Sequence, residues 1–269
     1  MNTPLLRLLF LLFLVLTAPK ILADDNTTVT ICDDENLWPP YTFIRESASQ
    51  PEVTGAMIEL VDAIFKHSQL TYSLSLTPWK RCLYQVEHYS GAPAYEVFIN
   101  GSFSEERAAK FLVSDRVYSS GAAYFYSQKT FPNGPDIKRL ADAKDYTICG
   151  VHGYSYEMFN ITADHIAISA GDLHAAFRLL KNNRCEIILN AYSVPFGSKF
   201  TDKPMIDDTI KARIFDELPH QQFHIFISRQ SPRAEKLVSQ INRSIQYLKN
   251  SGQADKIFRQ YLPECGTDC

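Results

Sequence analysis

The sequence predicts an α/β fold with mostly parallel sheets. The chain contains short runs of β-branched and aromatic residues, which are typical of strands, and segments in which apolar residues recur at helical spacing. These two kinds of segment alternate along the chain, which is typical of an α/β fold. The composition is that of an ordinary globular protein, with 45% hydrophobic and 12% aromatic residues. Because the formal net charge is −3, we expect no nucleic-acid partner and no attraction to anionic lipid.

The first 23 residues have the features of a cleavable signal peptide. Arg7 precedes an apolar run from Leu8 to Ala18 that is interrupted only by Thr17, and Ala23 stands just before two acidic residues. Because the run is short for a membrane span, cleavage is favoured over the alternative of a retained anchor helix. We therefore expect an exported protein that has no direct membrane insertion after cleavage.

Strand-like and helical segments alternate through the first half of the mature chain. Val29–Cys32 is a β-branched run typical of a strand. A helix is predicted behind it by apolar residues at helical spacing, namely Met57, Ile58, Val61, Ile64 and Phe65. Three further runs are strand-like, namely Tyr72–Leu76, Tyr95–Ile99 and Ala122–Tyr126.

The pattern restarts after a turn signal at Pro132-Asn133-Gly134. Three more runs are strand-like, namely Tyr146–Val151, Glu186–Leu189 and Gln222–Ile227. An amphipathic helix is predicted between the first two by Leu173, Ala176, Phe177 and Leu180. A last helix is predicted with Ser231 as its N-cap and Pro232 in its first turn. Its buried stripe would be Leu237, Val238, Ile241, Ile245 and Leu248.

Six cysteines in an exported chain suggest disulfides, and six cysteines permit fifteen connectivities. Among these, our assignment is Cys32 with Cys82, Cys149 with Cys185, and Cys265 with Cys269. There is no C-x-x-C, and the histidines are scattered, so we predict no metal site. The dinucleotide, P-loop, zinc-protease and nucleophile-elbow motifs are all missing. We therefore predict no enzyme, no catalytic residue and no cofactor.

One segment, NGSFSEERAAKFLVSDRVY at 100–118, carries a family resemblance. It resembles the bacterial extracellular solute-binding proteins of family 3, the amino-acid-type periplasmic binding proteins. The matching positions are Ser102, Ser104, Glu106, Arg107, Ser114, Asp115 and Tyr118. Further pieces follow in family order, namely WPPYTF at 38–43, Gly55, GVHGYS at 150–155, NRCE at 183–186 and Gly252.

The resemblance implies a two-lobed periplasmic binding protein-like fold with a ligand cleft between the lobes. Two hinge strands would join them, near Ala122–Ser127 and Gln222–Ser228. The first lobe would comprise 24–121 and 227–269, and the second 122–226. The implied function is periplasmic capture of a small polar, carboxylate-bearing ligand, an amino acid or related, by a monomer that serves an ABC-type importer. Its partner would be a membrane permease or receptor.

The resemblance also implies a set of ligand-binding residues. Arg107 would hold the ligand's α-carboxylate bidentately, and the alternative is a solvated surface charge. Asn100 and Ser102 match the turn that shares this carboxylate, although such a turn can be only a turn. Ser155 matches a second-lobe hydroxyl that meets the same carboxylate on closure, and it could also serve as a helix N-cap.

Four residues complete the first-lobe side of the predicted cleft. Trp38 would be an aromatic wall, or else core filling. Glu35 matches an acidic position that can meet a basic ligand group, or it is simply solvated. Trp79 and Arg81 resemble a Pro-Trp-x-Arg variant and would line the cleft. Their structural alternatives are a packed indole and a surface arginine.

The sequence departs from the family pattern at the aspartate that normally pairs with the ligand's α-ammonium. Counting five residues from Glu186 arrives at Ala191, flanked by Asn190 and Tyr192, so no carboxylate is available there. We count Asn190 among the candidate ligand-binding residues. A buried ammonium without a counter-charge is costly. The ligand would therefore lack an α-amine, or Glu35 would replace the acid. Two arginines near one cleft favour an acidic ligand.

Two further functions fit the same fold. A dehydratase of prephenate-like acids would also need Arg107, but it needs a general acid as well, and the cleft lacks the expected carboxylate. A sensory protein whose closed form docks on a receptor would use the same ligand-driven closure as a transport protein.

Overall fold

The computed structural model describes residues 28–46, 50–262 and 264–269, so the predicted signal peptide lies outside the described residues. The strands of the described residues, in chain order, are β1 (Val29–Asp34), β2 (Phe43–Arg45), β3 (Glu52–Thr54), β4 (Tyr72–Thr77), β5 (Val97–Ser102), β6 (Phe111–Val113), β7 (Tyr118–Ser120), β8 (Ala122–Ser127), β9 (Ile148–Val151), β10 (Ile166–Ala170), β11 (Ile187–Ala191), β12 (Ile210–Ile214) and β13 (Gln221–Ser228).

The α-helices are α1 (Ala56–Ser68), α2 (Trp79–Glu87), α3 (Glu105–Lys110), α4 (Leu173–Lys181), α5 (Ser193–Gly197), α6 (Ala234–Asn250) and α7 (Gln253–Arg259). Four short 3₁₀ helices lie at Leu140–Asp145, Glu157–Phe159, Ala163–His165 and Ser198–Phe200. No helix of the described residues is long and apolar enough to cross a membrane.

Two large sheets organise most of these elements into two lobes, and β2 and β3 form a separate two-stranded sheet. In the first, β1 pairs in parallel with β4 and β5, and β13 runs antiparallel to β5, β6 and β7. In the second, β9 pairs in parallel with β10 and β11, and β8 runs antiparallel to β11 and β12. The sheets are therefore mixed rather than mostly parallel, because the strands next to the connections between the sheets run against their neighbours.

The chain passes between the two sheets at two places. The first lies between Ser120, the end of β7, and Ala122, the start of β8. The return lies between β12 and β13, at 215–220. Among the described residues, the partners of Gln222–Ser228, which was predicted as the second hinge strand, all belong to the first sheet. Backbone hydrogen bonding therefore moves the return to a point before the boundary that we expected at 226.

The apolar stripes predicted from helical spacing are the buried faces of their helices. All five predicted residues of α1 are buried, and α1 packs on α6 and α7. In α6 the predicted stripe is buried except for Val238, which is half-buried. The predicted N-cap was wrong, because Arg233 occupies the N-cap position of α6 and makes no side-chain capping bond. The Ser231 hydroxyl donates to the buried carboxylate of Glu96 at 2.6 Å and accepts the Arg233 N–H at 3.2 Å.

All three predicted disulfides are present. Cys32–Cys82 links β1 to α2 in the first lobe. In the second lobe, Cys149–Cys185 links β9 to the segment just before β11. Cys265–Cys269 closes the C-terminal loop. That loop bonds to β7 beside the first crossing, because the Cys269 N–H donates to the Ser119 carbonyl at 3.0 Å.

Candidate functional site

A cavity lies between the two sheets and takes its walls from both lobes. Its volume, counted with its open mouth, is about 510 Å³. Seven of the nine residues singled out from the sequence line it, namely Trp38, Trp79, Asn100, Ser102, Arg107, Ser155 and Asn190. The structure thus brings together residues that lie up to 152 positions apart in the chain, since Trp38 and Asn190 line the same cavity.

Arg107 is a buried cation in the first-lobe wall. It lies in α3, whose N-cap Ser104 accepts the Arg107 backbone N–H at 3.2 Å. The guanidinium Nη1 donates to the Ser102 carbonyl at 2.8 Å and to the Ser102 Oγ at 2.7 Å. Burial lowers the pKa of Arg107 to about 10, so the group stays charged at neutral pH. Within the described part of the chain, no carboxylate forms an ion pair with it.

The two lobes touch across the cavity at the turn that follows β9. The Trp79 Nε1 donates to the Gly153 carbonyl at 3.2 Å, and the Arg107 Nη2 approaches the same oxygen at 3.5 Å. Gly153 has a φ of 83°, a left-handed conformation that favours glycine. The Trp38 and Tyr154 rings meet edge to face, with centroids 5.5 Å apart. These contacts hold the cleft in a closed arrangement.

Asn100 anchors a hydrogen-bond network behind the cavity wall. Its Nδ2 donates to Asp33 at 2.7 Å and to the Thr42 hydroxyl at 2.9 Å. Its Oδ1 accepts from the Tyr118 hydroxyl at 3.0 Å, and that hydroxyl accepts from the Trp38 indole at 3.1 Å. Asn100 has a φ of 57°, which asparagine tolerates better than most residues. The network fixes the indole and one buried carboxylate relative to the end of β5.

Two carboxylates that sequence reasoning missed also line the cavity. Asp33 and Asp34 end β1 and are almost fully buried, with exposed fractions of 1% and 6%. Burial raises the pKa of Asp33 to about 7 and that of Asp34 to about 6. A sequence signal existed: both acids stand at the carboxyl end of a predicted parallel strand, where open α/β sheets place their ligands.

The family comparison covers nearly the whole described chain. Residues 29–264 match the family model described as bacterial extracellular solute-binding proteins, family 3. The chain belongs to this family. A search of curated protein sequences finds no match. Because the family consists of binding proteins, the match argues against the dehydratase alternative and agrees with the prediction that the chain is not an enzyme.

Solved structures with the same fold are distant in sequence from this solute-binding protein. The substrate-binding protein of an amino acid ABC transporter is 18% identical, with a TM-score of 0.69 over 88% of this chain and 100% of that chain. The arginine-, lysine- and histidine-binding protein ArtJ of Geobacillus stearothermophilus is 15% identical, with a TM-score of 0.69 over 88% of this chain and 96% of that chain. A substrate-binding protein from Streptococcus pneumoniae with bound histidine is 19% identical, with a TM-score of 0.69 over 89% of this chain and 94% of that chain.

Two predicted site residues of the solute-binding protein do not reach the cavity. Glu35 is exposed, because the chain turns away after β1 with a hydrogen bond from the Leu37 N–H to the Asp34 carbonyl. Arg81 is exposed because α2 buries Trp79 and Cys82 on its inner face and turns the two residues between them, Lys80 and Arg81, outward. The alternative role of Ser155 was also wrong, since Tyr156 precedes the short helix there as its N-cap.

The raised pKa of Asp33 predicts how stability changes with pH. The protonated form stabilises the fold, and this contribution is lost as the pH rises through about 7. In Asp33→Asn this loss cannot occur, so its melting temperature relative to the parent should rise by a few degrees from about pH 4 to about pH 8. Melting curves of both proteins across this range provide the measurement. A difference that is independent of pH would show that Asp33 is ionised throughout.

Proposed function

We propose that this solute-binding protein captures a small, amino-acid-like ligand through the ligand's carboxylate and presents it to an ABC-type importer. The observation that supports the proposal is Arg107, a cation buried in the cavity wall that forms no ion pair among the described residues. A desolvated guanidinium without a paired carboxylate is unfavourable, and a ligand carboxylate would supply the missing charge.

The surroundings of Arg107 favour a bidentate grip. Ser102 holds Nη1 through two oxygens, which restricts the plane of the guanidinium before any ligand arrives. Ser155 faces the same cavity from the second lobe and can donate a hydroxyl to the same carboxylate. Contributions from both lobes would make the closed arrangement more stable with ligand than without it.

Asp33 and Asp34 favour a ligand that also carries a cation. One Asp34 oxygen accepts hydrogen bonds from the backbone N–H and the Nδ2 of Asn36, and the carboxylate still borders the cavity. The expectation of an acidic ligand depended on two cleft arginines, and Arg81 lies outside. Two structural neighbours, an arginine-, lysine- and histidine-binding protein and a protein with bound histidine, agree with a cationic ligand.

The cation site is tested with two matched series of ligands. One series is arginine and derivatives changed only at its α-amino group, and the other is glutamate and the corresponding derivatives of glutamate. The arginine series should bind more tightly, and Asp34→Asn should weaken that binding by about tenfold. Isothermal titration calorimetry of the mature protein measures both. Glu35→Gln is the matched control, because it removes an adjacent, exposed charge and should change the affinity by less than about twofold. A preference for the glutamate series, or equal effects of the two substitutions, would exclude Asp34 as the cation site.

The cellular setting of the proposal follows from the family. We propose that the protein acts in the periplasm as a monomer and that its closed form docks on a membrane permease. The family description supports an extracellular location, and the inter-lobe contacts of Trp79 and Arg107 with Gly153 support a closed state that a permease could recognise.

A further inference from the structure

Asn190 leaves a hydrogen-bond donor unused in the wall of the cavity. It is the penultimate residue of β11, is only 5% exposed and borders the cavity from the second lobe. Its Oδ1 accepts the N–H of Ala191 at 2.7 Å. Its Nδ2 is buried and has no hydrogen-bond partner among the described residues. Such a group is costly to leave unsatisfied.

The orientation of this amide is determined by its neighbour. Turning the side chain over would place the Nδ2 donor against the Ala191 N–H, which is also a donor, and both groups would lose their hydrogen bonds. The oxygen must therefore stay on Ala191, and the NH₂ group must stay on the other side. Asn190 therefore offers the ligand its unused Nδ2 donor, whereas its Oδ1 already accepts one hydrogen bond.

The second-lobe wall also lacks a negative charge. Its described cavity-lining residues are Tyr154, Ser155, Tyr156, Phe159, Leu189 and Asn190, and no carboxylate is among them. Asp33 and Asp34 belong to β1 of the opposite lobe. An ammonium group placed against the Nδ2 of Asn190 would meet a donor, and it would meet no carboxylate in the second-lobe wall, which is doubly unfavourable.

From these observations we infer that the ligand presents a neutral hydrogen-bond acceptor to Asn190 where an amino acid would present its α-ammonium group. The ligand class is an α-substituted carboxylic acid, either an Nα-acyl amino acid or a 2-hydroxy acid. This inference rests on the proposed function, because the carboxylate beside that substituent is the one held by Arg107. Acylation removes the positive charge and adds a carbonyl oxygen, and a 2-hydroxy group also accepts a hydrogen bond.

Calorimetry with matched probes tests the inference. The arginine series is L-arginine, Nα-acetyl-L-arginine and argininic acid, its 2-hydroxy analogue. The glutamate series is L-glutamate, N-acetyl-L-glutamate and 2-hydroxyglutarate. In the series that binds, the affinity of the parent protein for the acetyl or the hydroxy form should exceed its affinity for the free amino acid by about tenfold or more.

Two substitutions distinguish selection by Asn190 from other causes. Asn190→Asp keeps an acceptor for Ala191 and adds a counter-charge, so it should reverse the preference by about tenfold or more. Asn190→Ala removes the donor without adding charge and should bring the ratio of affinities close to one. Melting curves of the ligand-free variants establish that they are folded.

The remaining outcomes separate this inference from the proposed function. Tighter binding of the free amino acid, with a ratio that neither substitution changes, would overturn the inference. If Arg107→Ala still abolished that binding, the proposed function would stand. If none of the six probes bound the parent protein, both would be overturned.

Discussion

Arg107→Ala is expected to weaken the binding of every carboxylate ligand by about a hundredfold or more, equivalent to about 3 kcal/mol. The substitution removes the desolvated guanidinium that we propose as the bidentate donor, and it would leave the ligand carboxylate buried without a counter-charge. Fold stability should change less, because the substitution also removes a buried cation that has no carboxylate partner among the described residues. Calorimetry gives the affinity, and melting curves give the stability.

Two variants serve as controls for this result. Arg81→Ala removes an exposed arginine outside the cavity and should leave the affinity nearly unchanged. Arg107→Lys keeps the positive charge but replaces the planar guanidinium, which Ser102 orients, with a compact ammonium group. It should therefore recover only part of the affinity. Equal losses in Arg81→Ala and Arg107→Ala would contradict the assignment of the carboxylate site.

Removal of the Cys32–Cys82 disulfide should cost about 4 kcal/mol of unfolding free energy. The two cysteines are separated by 50 residues, and closing a loop of that length accounts for about 4 kcal/mol in the chain-entropy account. This disulfide joins the strand that carries Asp33 and Asp34 to the helix that carries Trp79. Denaturant unfolding of the Cys32→Ala, Cys82→Ala double variant gives the loss directly.

The C-terminal disulfide is the internal control for that experiment. Cys265 and Cys269 are separated by 4 residues, so the same account gives about 2 kcal/mol for its removal. The ranking of the two losses is the decisive quantity, because errors in the absolute values are shared. A larger loss from removing the C-terminal pair would contradict an origin in the entropy of the unfolded chain.

Local patterns in the sequence were sufficient for much of the fold. The helical spacing of Met57, Val61 and Ile64 predicts α1 because a buried helix face repeats every three to four residues. The family motif around Arg107 identified the cavity arginine because its strand, turn and short helix are contiguous in the chain. By contrast, Ser231 has the side chain of an N-cap but bonds to Glu96, which is 135 residues away.

The apolar periodicity of the sequence by itself indicated the α/β class, and the family resemblance indicated the two lobes and Arg107. Both depend on features that are local in the chain, namely apolar spacing and contiguous motifs. Only the tertiary structure decided that Asp33 and Asp34, rather than Glu35, face the cavity. Likewise it decided that β13 belongs wholly to the first sheet and that the Asn190 donor is unused. The physical reason is that the direction of a side chain at a strand end, and the partners available to it, depend on segments far away in the chain.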